Sequence, residues 1–270
     1  MNDLQAFGRL AGALAPWQSQ LVVVGGWAHR LYRHHHLATS PDYRPLTTLD
    51  ADLVFGSGNQ LQGNIKTALD DAGFKEDLFG QHQPPVSQYT LGEEGAGFYA
   101  EFLTPLRGSG IKRSGARDAT TIAAGISAQK LRNLDILLVH PWQVTVGPDQ
   151  GIQLPHPVDL RIANATAFLA QKFLIQGDRH REKRAQDMLY VHDTLAIFGG
   201  QLPALAALWH EQVRPTLSKG QLNLIGQTMR ENFHTVTDTL RAAALIPQDR
   251  ALTPERMRAF CEHALGEVLS

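Results

Sequence analysis

The sequence predicts an α/β (α+β) chain: a mixed sheet flanked by helices in the N-terminal part, followed by a C-terminal helical domain. Three observations point there. Short apolar or alternating runs bounded by turn formers recur up to about residue 158. Helical periodicity takes over from about residue 160. The 270 residues, 43% hydrophobic and 19% charged, are enough for a sizeable core and unlike a disordered or fibrous chain. The expected domains are therefore 1–158 and 159–270.

Each element has its own signal. Residues 2–14 carry helical spacing, and QLVVVGG (20–26) is a fully apolar strand running into two glycines. WAHRLYRHHHL (27–37) is helical in character, and ATSPDYRP is rich in turn formers. TTLDADLVF (47–55) reads as a strand, with Asp50 and Asp52 on one face and Leu49, Ala51 and Leu53 on the other. NQLQGNIKTALDDAG (59–73) reads as a helix stopped by Gly73. VSQYTL (86–91) and GFYAEFLTPL (97–106) are further strands, and RGSGIKRSGARDATT (107–121) is a mobile basic loop. LDILLVHPWQVTVG (134–147) is again apolar, and GIQLPHPVDLR (151–161) is punctuated by prolines. ANATAFLAQKFLIQG, EKRAQDMLYVHDTLAIFG and QLPALAALWHEQV then supply helices.

Bulk charge and cysteine use narrow the function classes. A net charge of −1 excludes a globally basic nucleic-acid coat but leaves room for a local basic patch. The single cysteine, Cys261, has no intramolecular partner and lies in a helical pattern with Phe260 and Leu265, so core packing is expected of it. The first twenty residues lack a basic segment followed by an apolar run, and no apolar stretch reaches membrane-spanning length, so a cytoplasmic protein is expected.

Two like charges two residues apart on a strand repel, and burying them unpaired is costly. A hard divalent cation with oxygen ligands would resolve the conflict; a solvated strand face is the other reading of a lone D-x-D. Glu101, in GFYAEFLTPL, shares a face with Tyr99 and Leu103. If its strand neighbours the aspartate strand, a spacing of about 4.8 Å lets it join the pair. Glu93 and Glu94 are rival acids, but they sit in a glycine-flanked turn. VVVGGWA brings bare backbone N–H groups and a helix start to one place, which suits an anion as well as it suits a tight turn. His34, His35 and His36, adjacent on a helix, point in three directions and are expected at an exposed helix end rather than on one ion.

The ordered combination of Gly25-Gly26, Asp50-x-Asp52 and a later strand acid resembles the DNA polymerase β-like nucleotidyltransferase superfamily over roughly the first 105 residues. The resemblance implies a nucleotidyltransferase-type sheet, a nucleoside triphosphate (NTP) as substrate with its phosphates on Gly25 and Gly26, and Mg²⁺ or Mn²⁺ on Asp50, Asp52 and Glu101. This sequence departs from the family in two places. YRHHHLATSPDYRP looks like an insertion, and Glu101 stands where aspartate is more usual. GGWA is similar to antibiotic nucleotidyltransferases acting on small molecules. FLAQKFLIQGDRHREKRAQDMLYVHDTL resembles the abortive-infection (type IV toxin-antitoxin) toxin nucleotidyltransferases. That second resemblance implies a functional lysine at Lys172 on nucleotide phosphate, an acid at Asp187 (Asp193 being the alternative), an RNA or tRNA acceptor, and an antitoxin protein as partner. A degenerate member that only binds nucleotide is the remaining alternative.

On residue chemistry alone, Lys172 lies among Phe168, Leu169, Phe173 and Leu174, where it either snorkels to the surface or points into a cleft. Arg179, Arg181, Lys183 and Arg184 share their turn with Asp178 and Glu182, as a solvated helix start would. Arg107, Lys112, Arg113 and Arg117 are followed by one acid, Asp118, in a flexible glycine-rich segment that suits an RNA backbone and ordinary disorder equally.

Overall fold

A computed structural model describes residues 2–58, 61–92 and 97–270. The chain divides into two compact units: Met1–His34 with Thr47–Ala163, and His35–Leu46 with Asn164–Ser270. Of the stretch YRHHHLATSPDYRP (32–45), which looks like an insertion in the first domain, residues 35–45 group with the helical unit and 32–34 with the first. The last strand of the first unit runs past residue 158 to Ile162.

The first unit opens with α1 (Asp3–Ala13), started by a capping box in which Asn2 and Gln5 satisfy each other's backbone N–H groups. β1 (Val22–Val24) is buried on both faces and leads directly into α2 (Gly25–Leu31). β2 (Asp50–Val54) is shorter than its apolar flanks suggested. Leu49 lies outside it and is 44% exposed, while Ala51 and Leu53 are buried as their face requires. The helix expected over 59–73 is confined to α3 (Ile65–Asp71), capped by Asn64; residues 59 and 60 of that expectation lie outside the described residues. Gly73 follows it at φ +87°, the left-handed stop that a glycine accepts freely.

β3 (Lys75–Phe79), β4 (Val86–Leu91) and β5 (Phe98–Pro105) come next. β6 (Thr120–Ala123) and β7 (Ile126–Leu131) form a hairpin that the sequence reading did not anticipate, and β8 (Trp142–Val146) and β9 (Val158–Ile162) form another pair. The strands make one mixed sheet in the order β3-β4-β5-β2-β1-β9-β8. β5 carries β4 along its first half and β7 along its second, both on one edge. The expected mobile loop is more structured than its composition suggests. Its end enters β6, and Ile111 and Arg117 bridge across a turn closed by Gly115 N–H donating to the Lys112 carbonyl at 2.9 Å.

The covered face of this sheet explains its stability. Phe7 stacks on Trp27 with ring centroids 3.9 Å apart, and Phe98 meets Trp27 edge-on at 5.9 Å. Ala51, Leu53, Ala100 and Phe102, buried residues of β2 and β5, continue that layer. Asp50, Asp52, Tyr99 and Glu101 occupy positions alternating with them, which leaves the carboxylates on the other face.

The second unit is helical: α4 (Ala165–Leu174), α5 (Arg181–Ile197), α6 (Leu202–Leu208), a π-helical turn Trp209–Val213, α7 (Lys219–Phe233), α8 (Asp238–Ala244) and α9 (Pro254–Leu269). Every residue of α4 is buried, so it is the unit's central helix, with α5, α6 and α7 packed around it. Asn164 caps it by accepting from the Ala167 N–H at 2.9 Å. Cys261 is fully buried in α9, as expected, and burial raises its thiol pKa. Among the described residues no helix is long and apolar enough to cross a membrane.

Candidate active site

The parallel pairing of β2 with β5 sets Asp52 directly beside Glu101 and Asp50 beside Tyr99. In-register neighbours project to the same side of a sheet, so three carboxylates and one phenol share one face. On the other flank β1 places Val24 opposite Asp52, and the chain turns at Gly25 into α2. Gly25 has φ +64°, and a Cβ there would stand 2.5 Å from Oδ2 of Asp52. The glycine is thus required twice, by backbone conformation and by the carboxylate against its Cα.

Neighbouring groups moderate the crowding. The Thr48 hydroxyl donates to the Asp50 carboxylate, and Gln88 Nε2 donates to Glu101 Oε1 at 2.9 Å. Burial pushes the Glu101 carboxyl above its usual range; the Gln88 hydrogen bond works against that, and the Asp50 charge adds to it. Tyr99 is pushed up to about 12 by burial and then by Asp50, Glu101 and Asp52, so its hydroxyl stays protonated. Neither Tyr99 nor Gln88 was singled out in the sequence. Both were available to strand alternation, being two residues before Glu101 on β5 and across from it on β4.

The donor chemistry fits a divalent cation: all-oxygen, anionic, half-buried and self-repelling. Among the described residues, however, no three His, Cys, Asp or Glu side chains are arranged to hold a metal ion. Asp50 and Asp52 are the pair that would hold one, and Glu101 is the remaining carboxylate of the face, occupied by Gln88. The rival acids Glu93 and Glu94 lie outside the described residues.

The second-unit residues have different settings. Lys172 is neither snorkelling nor open to a cleft: it is 4% exposed, its ammonium donates to Asp187 Oδ1 at 2.6 Å, and it lies over the Phe168 and Tyr190 rings. Arg179 Nε approaches Asp187 Oδ2 at 3.3 Å, close enough for charge pairing but not aligned as a hydrogen bond. Asp193 belongs to another cluster, accepting from Arg250 at 2.6 and 2.7 Å. Arg184 caps the basic turn by donating to the Arg179 carbonyl at 2.8 Å. Of the three histidines only His34 and His36 are exposed; His35 is buried against Phe198, which corrects the expectation that all three sit at an exposed helix end.

A strand running into a Gly-Gly turn, an aspartate pair on the next strand and a third acid in register beyond it form the site plan of enzymes that move nucleotidyl groups. Comparison with known proteins agrees. A family model described as Nucleotidyltransferase matches residues 3–214, and the chain belongs to that family. It is therefore an enzyme transferring phosphorus-containing groups, with nucleoside monophosphate transfer from an NTP as the general reaction. Among curated proteins none matches it.

Proposed function

We propose that the enzyme transfers a nucleoside monophosphate to a hydroxyl of RNA in a divalent-metal-dependent reaction. The observation that carries the chemistry is the register placing Asp52 beside Glu101, with Asp50 on the same face and Gly25 against Asp52. Asp50 and Asp52 would hold Mg²⁺, which when bound supplies charge neutralisation at the phosphates. Gly25 and Gly26 leave room for the triphosphate at the start of α2. The acceptor oxygen forms a bond to the α-phosphorus, the bond from that phosphorus to the β-phosphate oxygen breaks, and pyrophosphate leaves. Glu101 suits the role of proton acceptor, because its raised pKa brings it nearer to that of a useful base at neutral pH.

The RNA assignment is supported by the basic segment Arg107, Lys112, Arg113 and Arg117 and by the resemblance of the second half to toxin nucleotidyltransferases. That resemblance also brings in an antitoxin protein as partner, and Lys172 and Asp187 as functional residues. With its ammonium on Asp187, Lys172 would reach a phosphate only by leaving that partner. One observation favours a second reading. The acid-bearing face continues through Gln88 to Asp77 on the edge strand β3, and a cationic small molecule would be drawn to it.

Incubation with Mg²⁺, each of the four α-labelled NTPs, and either cellular RNA or a panel of amine-bearing small molecules tests both readings. Label in RNA supports the first, and label only in a small molecule supports the second. Asp50→Ala or Asp52→Ala should abolish either transfer, by about a thousandfold or more, with the melting temperature retained. Full activity in either variant would overturn the site assignment.

A further inference from the structure

A cavity of about 210 Å³ opens where β2 and β5 end against the β6–β7 hairpin. Phe55 and Thr104 follow the alternation of Leu53 and Phe102, and Lys130 is in register with Thr104, so the cavity lies on the sheet face opposite the carboxylates. Its polar lining comes from Ser57, Thr104, Arg107, Asp118, Thr121 and Lys130. Lys130 is neutralised by Asp118, with Nζ to Oδ1 at 2.7 Å, and Thr104 spends its hydroxyl on the Phe55 carbonyl at 3.1 Å. That leaves the Arg107 guanidinium, which has no ion-pair partner among the described residues. The Ser57 and Thr121 hydroxyls likewise have no hydrogen-bond partner among them. One planar cation with two hydroxyl donors in a concave, mainly polar site is the donor set for a single oxyanion group. Lys112, Arg113 and Arg117, on the segment between Arg107 and Asp118, add positive charge along the chain that leads to it.

We propose that this cavity is a binding site for a phosphate group, distinct from the nucleotidyl-transfer centre. It is too small for a whole nucleotide ligand, and so it takes the phosphate and the sugar attached to it. Arg107 forks onto the phosphate oxygens, and Ser57 and Thr121 donate to the remaining ones. The phosphate comes either from a soluble phosphorylated sugar or from the backbone of a polynucleotide. The proposal does not depend on the acceptor assigned to the transfer reaction.

Titration calorimetry on the full chain with two probes, ribose 5-phosphate and a short single-stranded oligoribonucleotide, tests it. At least one probe should bind. Arg107→Ala should weaken that binding about tenfold and Thr121→Val about threefold. Lys75→Ala, which removes one positive charge from the edge strand β3, should change it less than twofold. All three positions are at least partly exposed, and unchanged melting temperatures will confirm that the variants fold. Binding of the sugar phosphate alone identifies a soluble ligand as the source; binding of the oligonucleotide alone identifies the polymer. Absence of binding by both probes, or equal losses in the Arg107 and Lys75 variants, would overturn the site.

Discussion

At position 25 a methyl group would come 2.5 Å from Oδ2 of Asp52, and the backbone there has φ +64°. Gly25→Ala therefore meets two penalties. The left-handed conformation costs about 1–3 kcal/mol for a residue with a Cβ, and Asp52 has to rotate away. We expect stability to fall by that amount and transfer to fall by about a hundredfold or more, because misplaced catalytic groups are expensive. A variant melting near wild type with full activity would refute the close approach. Glu101 behaves in the opposite sense. Burial first, and then the Asp50 charge, raise its folded pKa above the ordinary 4.5. Between those two values the folded state holds more protons than the unfolded one, so stability falls as pH rises through that window. At neutral pH an ionised Glu101 is a net cost to the fold. Glu101→Gln keeps the shape and an acceptor for Gln88 and removes that cost. It should melt about 2 °C higher at pH 7, lose this advantage near pH 4, and transfer nothing. A lower melting temperature at pH 7 would contradict the assigned environment.

Among elements, the most stringent pairing is that of α4 and α5 through Lys172 and Asp187. Both are at least 96% buried, and one bond of 2.6 Å joins them, with Arg179 alongside. Removing one member strands the other's charge. Lys172→Met should cost about 3 kcal/mol, the lower end of the usual range because Arg179 still compensates Asp187. The double variant Lys172→Met with Asp187→Leu should recover most of that loss, since an apolar pair suits this interior. Denaturant unfolding checks both. If the double variant recovers stability and also keeps its KM for NTP, the lysine acts on the fold. A KM raised tenfold in the recovered protein would instead show that Lys172 reaches the nucleotide. The same elements show what the sequence discloses. β4 and β5 were legible because polar and apolar residues alternate in QYTL (88–91) and AEF (100–102), and alternation also located the face of Glu101. β3 was not legible, because an edge strand, Lys75–Phe79, carries charge on a face that water reaches. β6 and β7 were hidden by glycines and basic residues, whose strand character comes from pairing with each other and with the end of β5. The partnership of Lys172 with Asp187 could not be read from spacing alone, since it depends on how two helices pack.

For the whole molecule, the decisive feature is that the helical unit is discontinuous in sequence. The strap His35–Leu46 leaves the first unit ahead of Asp50 and is held on the helical unit at several points. The Thr39 N–H donates to the Ile197 carbonyl at 2.8 Å, the Arg44 N–H donates to Asp249 at 2.7 Å, and Arg250 stacks on the Tyr43 ring at 3.5 Å. At its start His35 packs against Phe198, and its Nδ1 accepts the Leu37 N–H at 3.3 Å, a role open only to the neutral ring. Burial, and then the neighbouring His36, lower its pKa from 6.5 to about 4. Between those values the unfolded chain binds the proton and the folded one does not, so stability rises with pH across the window. The contribution is complete above pH 6.5 and is lost as pH falls toward 4, with a slope of at most about 1.4 kcal/mol per pH unit. His35→Leu, which cannot take up the proton, isolates this term from the carboxylates titrating nearby in pH. We expect the wild-type stability minus that of His35→Leu to be constant above pH 7 and to fall steadily between pH 6.5 and 4. Hydrogen-exchange protection factors at Leu37 and Thr39 should fall as pH drops through the same window in the wild type, because protonation withdraws the acceptor at the strap's first anchor. A difference independent of pH would mean that His35 is not held neutral, and that the strap is fixed by Tyr43, Arg44 and Thr39 alone.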